Sequence, residues 1–283
     1  MNVQTALLQG SQLLEDAQVA VPRLTAEVLL AHAMRSERAY LFAHPEQELR
    51  EVEWLHYGRY LHERMTGKPT QYITNRQEFY GREFRVSRDV LIPRPETEHV
   101  VELALQRARG ARQILDVGTG SGALAVTLQL ETGAAALATD ISPAAAAVAD
   151  QNARRLGSRV AVVVCDLMAA VRERSIDLIV SNPPYVPATQ RAGLQREVRD
   201  WEPAVALFAG STGFEIYDRI AADAPRVLRP GGWVILELGF GSLEHVRRLF
   251  REWGNVTVEP DLAGIPRVLS AQLTASPAAS IPA

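Results

Sequence analysis

Cysteine is nearly missing from this chain. Cys165 is the only one among 283 residues, so an intrachain disulfide, a thiolate zinc cluster and a Cys-x-x-Cys redox pair are all excluded. A reducing, cytoplasmic setting fits that usage. Cys165 itself follows Val160-Ala161-Val162-Val163-Val164 and reads as a small buried hydrophobe. Lysine is equally scarce: Lys68 stands alone beside 29 arginines, no basic run of five or more occurs, and the formal charge is −3. The electrostatic footprint of a duplex nucleic-acid binder is therefore absent, and direct DNA binding is not expected. No apolar run reaches 18 residues and no basic-then-apolar leader opens the sequence, so a soluble, untargeted protein without a membrane partner is the expectation. His32, His44, His56 and His62 lack ligand spacing of the H-E-x-x-H kind, and no metal is expected.

What is present is a large apolar fraction. At 47% hydrophobic content the protein can bury a full core, and its length suits two domains. Residues 1–70 show helical periodicity. Val3, Leu7 and Leu14 mark one apolar face and Glu27–Met34 a second, while a third helix from Pro45 places Leu49, Val52, Leu55, Leu61 and Met65 near one side. Residues 71–92 change character, because Phe79-Tyr80-Gly81-Arg82-Glu83-Phe84 sets aromatics either side of a glycine and reads as a β-hairpin linker. Residues 93–275 read as one larger domain, within which strand and helix patterns alternate from Arg112, the signature of a parallel sheet covered on both faces. Strands are predicted at 112–117, 134–139, 160–165, 176–181 and 232–238, with helices near 96–109, 121–131, 143–156, 213–229 and 242–252. Two β-prone runs at 255–259 and 267–273 suit a closing antiparallel pair, and 276–283 reads as a flexible tail.

Polar groups then collect at strand ends. Ile114-Leu115-Asp116-Val117 runs into Gly118-Thr119-Gly120-Ser121-Gly122, whose glycines allow positive φ and close approach of a ligand. Taken alone, that loop serves dinucleotide and methyl-donor sites equally. The next strand ends at Asp140, about 20 residues on, where a carboxylate can accept both hydroxyls of a ribose. A third ends at Asp166, which can accept from an adenine amino group. Helix capping is the plainer role, and Ser142-Pro143 after Asp140 does form a cap signal. Three successive strands with polar ends at one sheet edge favour a nucleoside site. A fourth, Ile176–Val180, ends in Ser181-Asn182-Pro183-Pro184-Tyr185, where two prolines forbid further ladder pairing and force a stiff turn.

In order and spacing, Asp116–Gly122, Asp140, Asp166 and Asn182-Pro183-Pro184-Tyr185 resemble the class I S-adenosylmethionine-dependent methyltransferases that act on planar amide or amine nitrogen. Gln71-Tyr72-Ile73, Glu78-Phe79-Tyr80-Gly81 and Ile92-Pro93-Arg94-Pro95-Glu96-Thr97-Glu98 are similar to the HemK-type protein-(glutamine-N5) methyltransferases, which modify release factors. Thr74-Asn75 departs from that pattern where the family usually has glycine. The resemblance implies a Rossmann-like seven-stranded sheet with its last strand pair antiparallel, an N-terminal helical substrate-recognition domain, and S-adenosyl-L-methionine as co-substrate without a metal. It implies that Gly118, Thr119, Gly120, Ser121 and Gly122 meet the donor's amino-acid portion, Asp140 with Ile141 its ribose, and Asp166 with Leu167 its adenine. Asn182 would border the donor as well as hold the acceptor with Pro183. The acceptor implied is N5 of the glutamine in the GGQ motif of peptide chain release factors, methylated by a monomer.

The residues supply a physical case for such an acceptor. An amide nitrogen is a poor nucleophile and no strong base is at hand, so positioning is the available lever. The Asn182 side-chain carbonyl and the Pro183 backbone carbonyl can accept the two amide hydrogens, Tyr185 can wall the planar group, and Pro184 keeps the turn stiff. Arg94, Glu96 and Thr97 either help close the donor site or simply start a helix. Other acceptors fit the same turn, namely a glutamine of another protein such as a ribosomal one, or a flipped-out base amine of a nucleic acid. A non-catalytic module retaining a nucleoside pocket is the rival of a different class.

Overall fold

Helices α1 (Val3–Asp16), α2 (Pro22–Met34), α3 (Arg38–Ala43), α4 (Glu51–Met65) and α5 (Thr70–Thr74) follow one another before any strand in the computed structural model, which describes residues 1–107, 109–261 and 263–274. The predicted flexible tail lies outside the described residues. Met1–Arg76 and Gln195–Trp201 make one compact unit; Gln77–Leu194 and the described residues from Glu202 onward make the other. In the helical unit Val3, Leu7 and Leu14 of α1 meet Ala26, Leu29 and Leu30 of α2 and Tyr57 and Leu61 of α4 in one core. Gly10 is required there, since a Cβ would lie 1.9 Å from the Tyr57 hydroxyl oxygen.

Two helical expectations shift. Of the predicted face, Leu61 is buried and Leu49 and Met65 pack against the core, but Val52 and Leu55 are exposed, and α4 buries Glu53, Tyr57 and Arg64 beside Leu61 in a stripe at helical spacing. The reason lies at its start: Glu53 accepts from the Arg50 backbone N–H and from Arg50 Nε at 2.8 Å each, a capping arrangement that turns this face inward. The predicted third helix starts later than Pro45, at Glu51 as α4, and a short unpredicted helix, α3, precedes it. At the departure from the family pattern, Asn75 ends α5 with φ 58°, a left-handed conformation that asparagine tolerates best after glycine.

The second unit opens with a hairpin, β1 (Arg76–Phe79) and β2 (Arg82–Arg85), turning through Tyr80 and Gly81, both at positive φ. Gln71-Tyr72-Ile73 belongs to α5 and not to this linker. A 3-10 turn, Pro95–Thr97, leads into α6 (Glu98–Arg107). There follow β3 (Gln113–Val117), α7 (Ala123–Thr132), β4 (Ala135–Asp140), α8 (Pro143–Arg155), β5 (Ala161–Val164) and β6 (Ile176–Ser181). Then come α9 (Arg196–Trp201), which belongs to the helical unit, and, back in the second, α10 (Ala204–Leu207), α11 (Glu215–Val227), β7 (Leu228–Glu237), α12 (Leu243–Leu249), β8 (Gly254–Pro260) and β9 (Pro266–Gln272).

The large sheet has the order β5-β4-β3-β6-β7-β9-β8, parallel through β7, with β9 antiparallel to both its neighbours. This is the class I methyltransferase-like, Rossmann-like α/β arrangement with an antiparallel closing pair. Alternate residues of the central strands feed opposite cores: Ile114, Leu178 and Val180 face α6 and α7, whereas Leu115, Val117 and Ile179 face α11 and Phe250. At about 1.5–3 kcal/mol for each fully buried large aliphatic side chain, this two-sided burial dominates the favourable side of folding.

Cys165 is half-buried, not fully buried, because β5 is an edge strand with Val164 exposed beside it. Among the described residues, no helix is long and apolar enough to cross a membrane.

Candidate active site

Parallel pairing puts the carboxyl ends of β3, β4, β5, β6 and β7 at one edge; from β3 the chain builds outward through β4 to β5 and then crosses back to lay β6 on the other side of β3, which reverses the strand order there. A crevice at that switch point is the expected ligand site of such a sheet. The cavity found there is lined by Thr97, Gly118, Thr119, Gly120, Ser121, Asp140, Ile141, Asp166, Leu167, Asn182 and Pro184, all of them singled out from sequence. Asp116, Val90, Leu91, Ile216, Phe208 and Arg219 line it as well.

The glycine loop is shaped by hydrogen bonds to the next strand. Gly118 and Thr119 donate their N–H groups to Thr139 O at 2.8 and 2.9 Å, and Gly120 donates to Asp140 Oδ2 at 2.9 Å. A Cβ at Gly118 or Gly120 would meet nothing, so the φ of 73° and 55° there, not crowding, selects glycine. Gly122 differs. It lies outside the lining, and a Cβ there would stand 3.2 Å from Ala149 Cα of α8, so its smallness serves helix packing.

Asp140 and Ser142 divide two jobs that sequence left open between them. Ser142 Oγ accepts from Ala145 N at 3.2 Å and caps α8, while Asp140 Oδ1 accepts from Ser142 N at 2.9 Å. Each Asp140 oxygen keeps a second lone pair for a ligand hydroxyl. Asp166 Oδ2 accepts from Arg219 Nη2 at 2.6 Å, a half-exposed pair whose arginine shares the cavity wall. Leu167 follows with φ 46°, a left-handed backbone in a bulky residue of the kind found at ligand sites.

Asp116 is fully buried. Its Oδ2 accepts from Thr119 Oγ1 at 2.6 Å and Ala125 N at 3.1 Å, whereas Oδ1 has no partner. Burial pushes its carboxyl up to about 7, against those two hydrogen bonds and with a push from the Asp140 charge.

Behind the β6 turn lies a buried polar file. Asn182 Nδ2 donates to Thr97 Oγ1 at 3.0 Å, and Thr97 Oγ1 donates to Glu237 Oε2 at 2.6 Å. Burial pushes Glu237 up to about 7; its bond from Thr97 opposes this, and Glu96 adds to it while Arg267 and Arg94 work the other way. Pro183 is buried, and Tyr185 packs so closely on Gly239 that a Cβ there would lie 2.5 Å from the Tyr185 ring. Neither Pro183 nor Tyr185 lines the cavity. Arg94 pairs with Glu202 and stands outside the lining, as does Glu96.

Sequence reasoning missed Asp116 as a site group, together with Arg219 and Asn152. Asn152, fully buried on α8, accepts from Arg85 N and donates to Arg85 O and Ser121 O, tying the hairpin to the glycine loop. Its position inside a helical pattern gave no signal. Asp116, a charge inside an otherwise apolar strand, did give one.

Comparison with known proteins bears on these features directly. Residues 5–74 match the family model described as the PrmC N-terminal domain, and residues 99–197 match the methyltransferase small domain. The release factor glutamine methyltransferase of Koribacter versatilis (strain Ellin345) is 46% identical over 273 residues, covering 95% of this chain and 98% of that protein. That of Nitratidesulfovibrio vulgaris (strain ATCC 29579 / DSM 644 / CCUG 34227 / NCIMB 8303 / VKM B-1760 / Hildenborough) is 42% identical over 279 residues, covering 95% of each. Among solved structures, a methyltransferase from Pyrococcus furiosus shares the fold with a TM-score of 0.53 at 20% identity, over 70% of this chain and 91% of that one. This chain belongs to the release factor glutamine methyltransferase family and is an S-adenosylmethionine-dependent methyltransferase.

Proposed function

We propose that this protein methylates the side-chain amide N5 of the glutamine in the GGQ motif of peptide chain release factors. The observation that carries the proposal is that Asn182 and Pro184 of the β6 turn line the same cavity as Gly118, Gly120, Asp140 and Asp166. A donor pocket and an amide-holding turn are thus one space. The substrate named for the relatives has the planar primary amide that this turn suits.

The residues fit the donor. Asp116 Oδ1 is a buried acceptor lacking a partner, and Gly118 and Gly120 leave open room where any side chain would stand. Gly118, Thr119, Gly120 and Ser121 would hold its amino-acid end near Asp116, Asp140 and Ile141 its ribose, and Asp166 and Leu167 its adenine. S-Adenosylmethionine, when bound, supplies a methyl group on a positively charged sulfur. The protein's own contribution is to hold an amide in front of it. Asn182 Oδ1 and the Pro183 carbonyl accept the two N5 hydrogens, which fixes the nitrogen in place. Tyr185, whose hydroxyl burial pushes up to about 12, stays a neutral wall behind Pro184. Fixing the reacting atoms in this way can contribute on the order of 7 kcal/mol to the barrier reduction.

The helical unit, residues 1–76 with 195–201, is assigned the choice of protein substrate. Its support is the match of residues 5–74 to a domain model belonging to this family. A release-factor substrate puts the reaction in the cytoplasm. Asn182→Ala tests the site: methyl transfer to a release factor should be abolished with donor affinity largely spared by calorimetry. Near-normal turnover by the folded variant would overturn the assignment.

A further inference from the structure

Asn182 can serve an amide acceptor only in one of its two orientations. With Oδ1 toward the substrate it accepts an N–H; turned by a half-rotation about its Cβ–Cγ bond, it offers an NH2 group and repels the substrate amide. Because the two orientations have nearly the same shape, packing alone barely distinguishes them. Hydrogen bonding must decide.

Thr97 makes that decision in this fold. An ionised carboxylate only accepts, so the 2.6 Å contact between Thr97 Oγ1 and Glu237 Oε2 uses the single hydroxyl proton of Thr97. Toward Asn182, 3.0 Å away, Thr97 is left with lone pairs alone. Asn182 must then present Nδ2 to Thr97, which sends Oδ1 the other way. Both Thr97 and Glu237 are buried, at 5% and 3% exposure, and Glu237 lies outside the cavity lining, so the Thr97 hydroxyl bonds to its carboxylate away from the cavity. The two residues come from the 3-10 turn before α6 and from the end of β7, and β7 pairs in register with β6, Ser181 opposite Leu236. The file is thus built from three separate segments at one level of the sheet edge.

We propose that Glu237 and Thr97 are positioning residues for methyl transfer: Glu237 fixes the direction of the Thr97 hydroxyl, and Thr97 fixes the orientation of the Asn182 amide. The role of the oriented amide rests on the acceptor reading given above; the orientation itself does not. Arg94, Glu96 and Arg267 are the charged groups acting on Glu237, with Tyr185 nearby, and none of them substitutes for Thr97 as the partner of Asn182.

The test uses Thr97→Val, which keeps the shape and removes the hydroxyl, beside Thr97→Ser, which keeps the hydroxyl. Two readouts are taken on the full-length protein. One is the Asn182 side-chain amide pair in 15N-correlated NMR, assigned by its loss in Asn182→Ala. The other is single-turnover methylation of a release factor at saturating donor. The wild type and Thr97→Ser should show one slowly exchanging Asn182 amide proton, and Thr97→Val should lose that protection. Turnover of Thr97→Val should fall by about 100-fold with the KM for release factor and the donor Kd nearly unchanged, the scale of loss from a small misplacement of a reacting group. Thr97→Ser should keep most of the activity.

Unchanged amide protection in Thr97→Val, or wild-type turnover by it, would overturn the proposal. Equal losses in Thr97→Val and Thr97→Ser would overturn it too, because the methyl group and not the hydroxyl would then matter. If wild-type protein failed on every release factor while the amide protection followed the hydroxyl, the substrate assignment would fall and the positioning file would stand.

Discussion

At the scale of single residues, two buried carboxyls set the pH behaviour. Glu237 sits near 7, so the direction it imposes on Thr97 is complete only above that pH. At saturating donor, turnover is predicted to fall as pH drops through about 7, and Glu237→Gln should flatten this acid limb in a pH–rate profile; an unchanged limb would point to another group. Asp116 acts on stability with the opposite sign. Its carboxyl rises from 3.8 in the unfolded state to about 7 when folded, so its contribution is full below 3.8 and is lost as pH climbs through 7. Thermal melts should therefore show wild type losing ground to Asp116→Asn between those two values. Asp140 is the residue proposed to hold the donor's ribose. Asp140→Ala should weaken donor binding by about 10- to 100-fold, as expected for hydrogen bonds to a charged group, with calorimetry as the check.

At the scale of elements, the strands were the most legible part of the sequence. The β3 to β6 segments are near-continuous apolar runs closed by Gly118, Asp140, Asp166 and Asn182; burial on both faces leaves the central β3 and β6 little other choice, while the edge strand β5 is read from its β-branched valines. The buried face of α4 was only partly legible: Leu61 was read, but Val52 and Leu55 are as apolar as the buried Tyr57, and the Arg50–Glu53 cap decided between them. The polar file was not legible either, since Thr97 is 85 residues from Asn182 and 140 from Glu237. Only the sheet brings them together. Asn152 is the same kind of residue, joining α8 to β2 and to the glycine loop through three hydrogen bonds. Replacing it with alanine leaves the Arg85 N–H and two carbonyls unpaired, and urea unfolding should show a loss of about 3 kcal/mol at the order of the known penalty for such groups. A loss below about 0.5 kcal/mol would mean that water takes its place.

At the scale of the whole molecule, the polypeptide enters the sheet unit after Arg76, returns to the helical unit for Gln195–Trp201, and goes back. Within the helical unit that returning stretch is held by Arg64, itself buried, at 2.8 Å from Glu197, and Lys68 lies over the Trp201 ring. No linear reading would assign α9 to the helices, because its partners lie more than a hundred residues earlier in the sequence. In sequence the segment follows the proposed acceptor turn after the 3-10 turn Ala188–Gly193, so the chain that carries the proposed amide-holding residues next enters the unit proposed to choose the protein substrate. The central claim is the acceptor itself. It is tested most directly by incubating a release factor with the protein and S-adenosylmethionine and mapping the product by tandem mass spectrometry. The account predicts one added methyl group on the side-chain nitrogen of the GGQ glutamine; a release factor left unmodified, or a methyl group carried on any other residue, would contradict it.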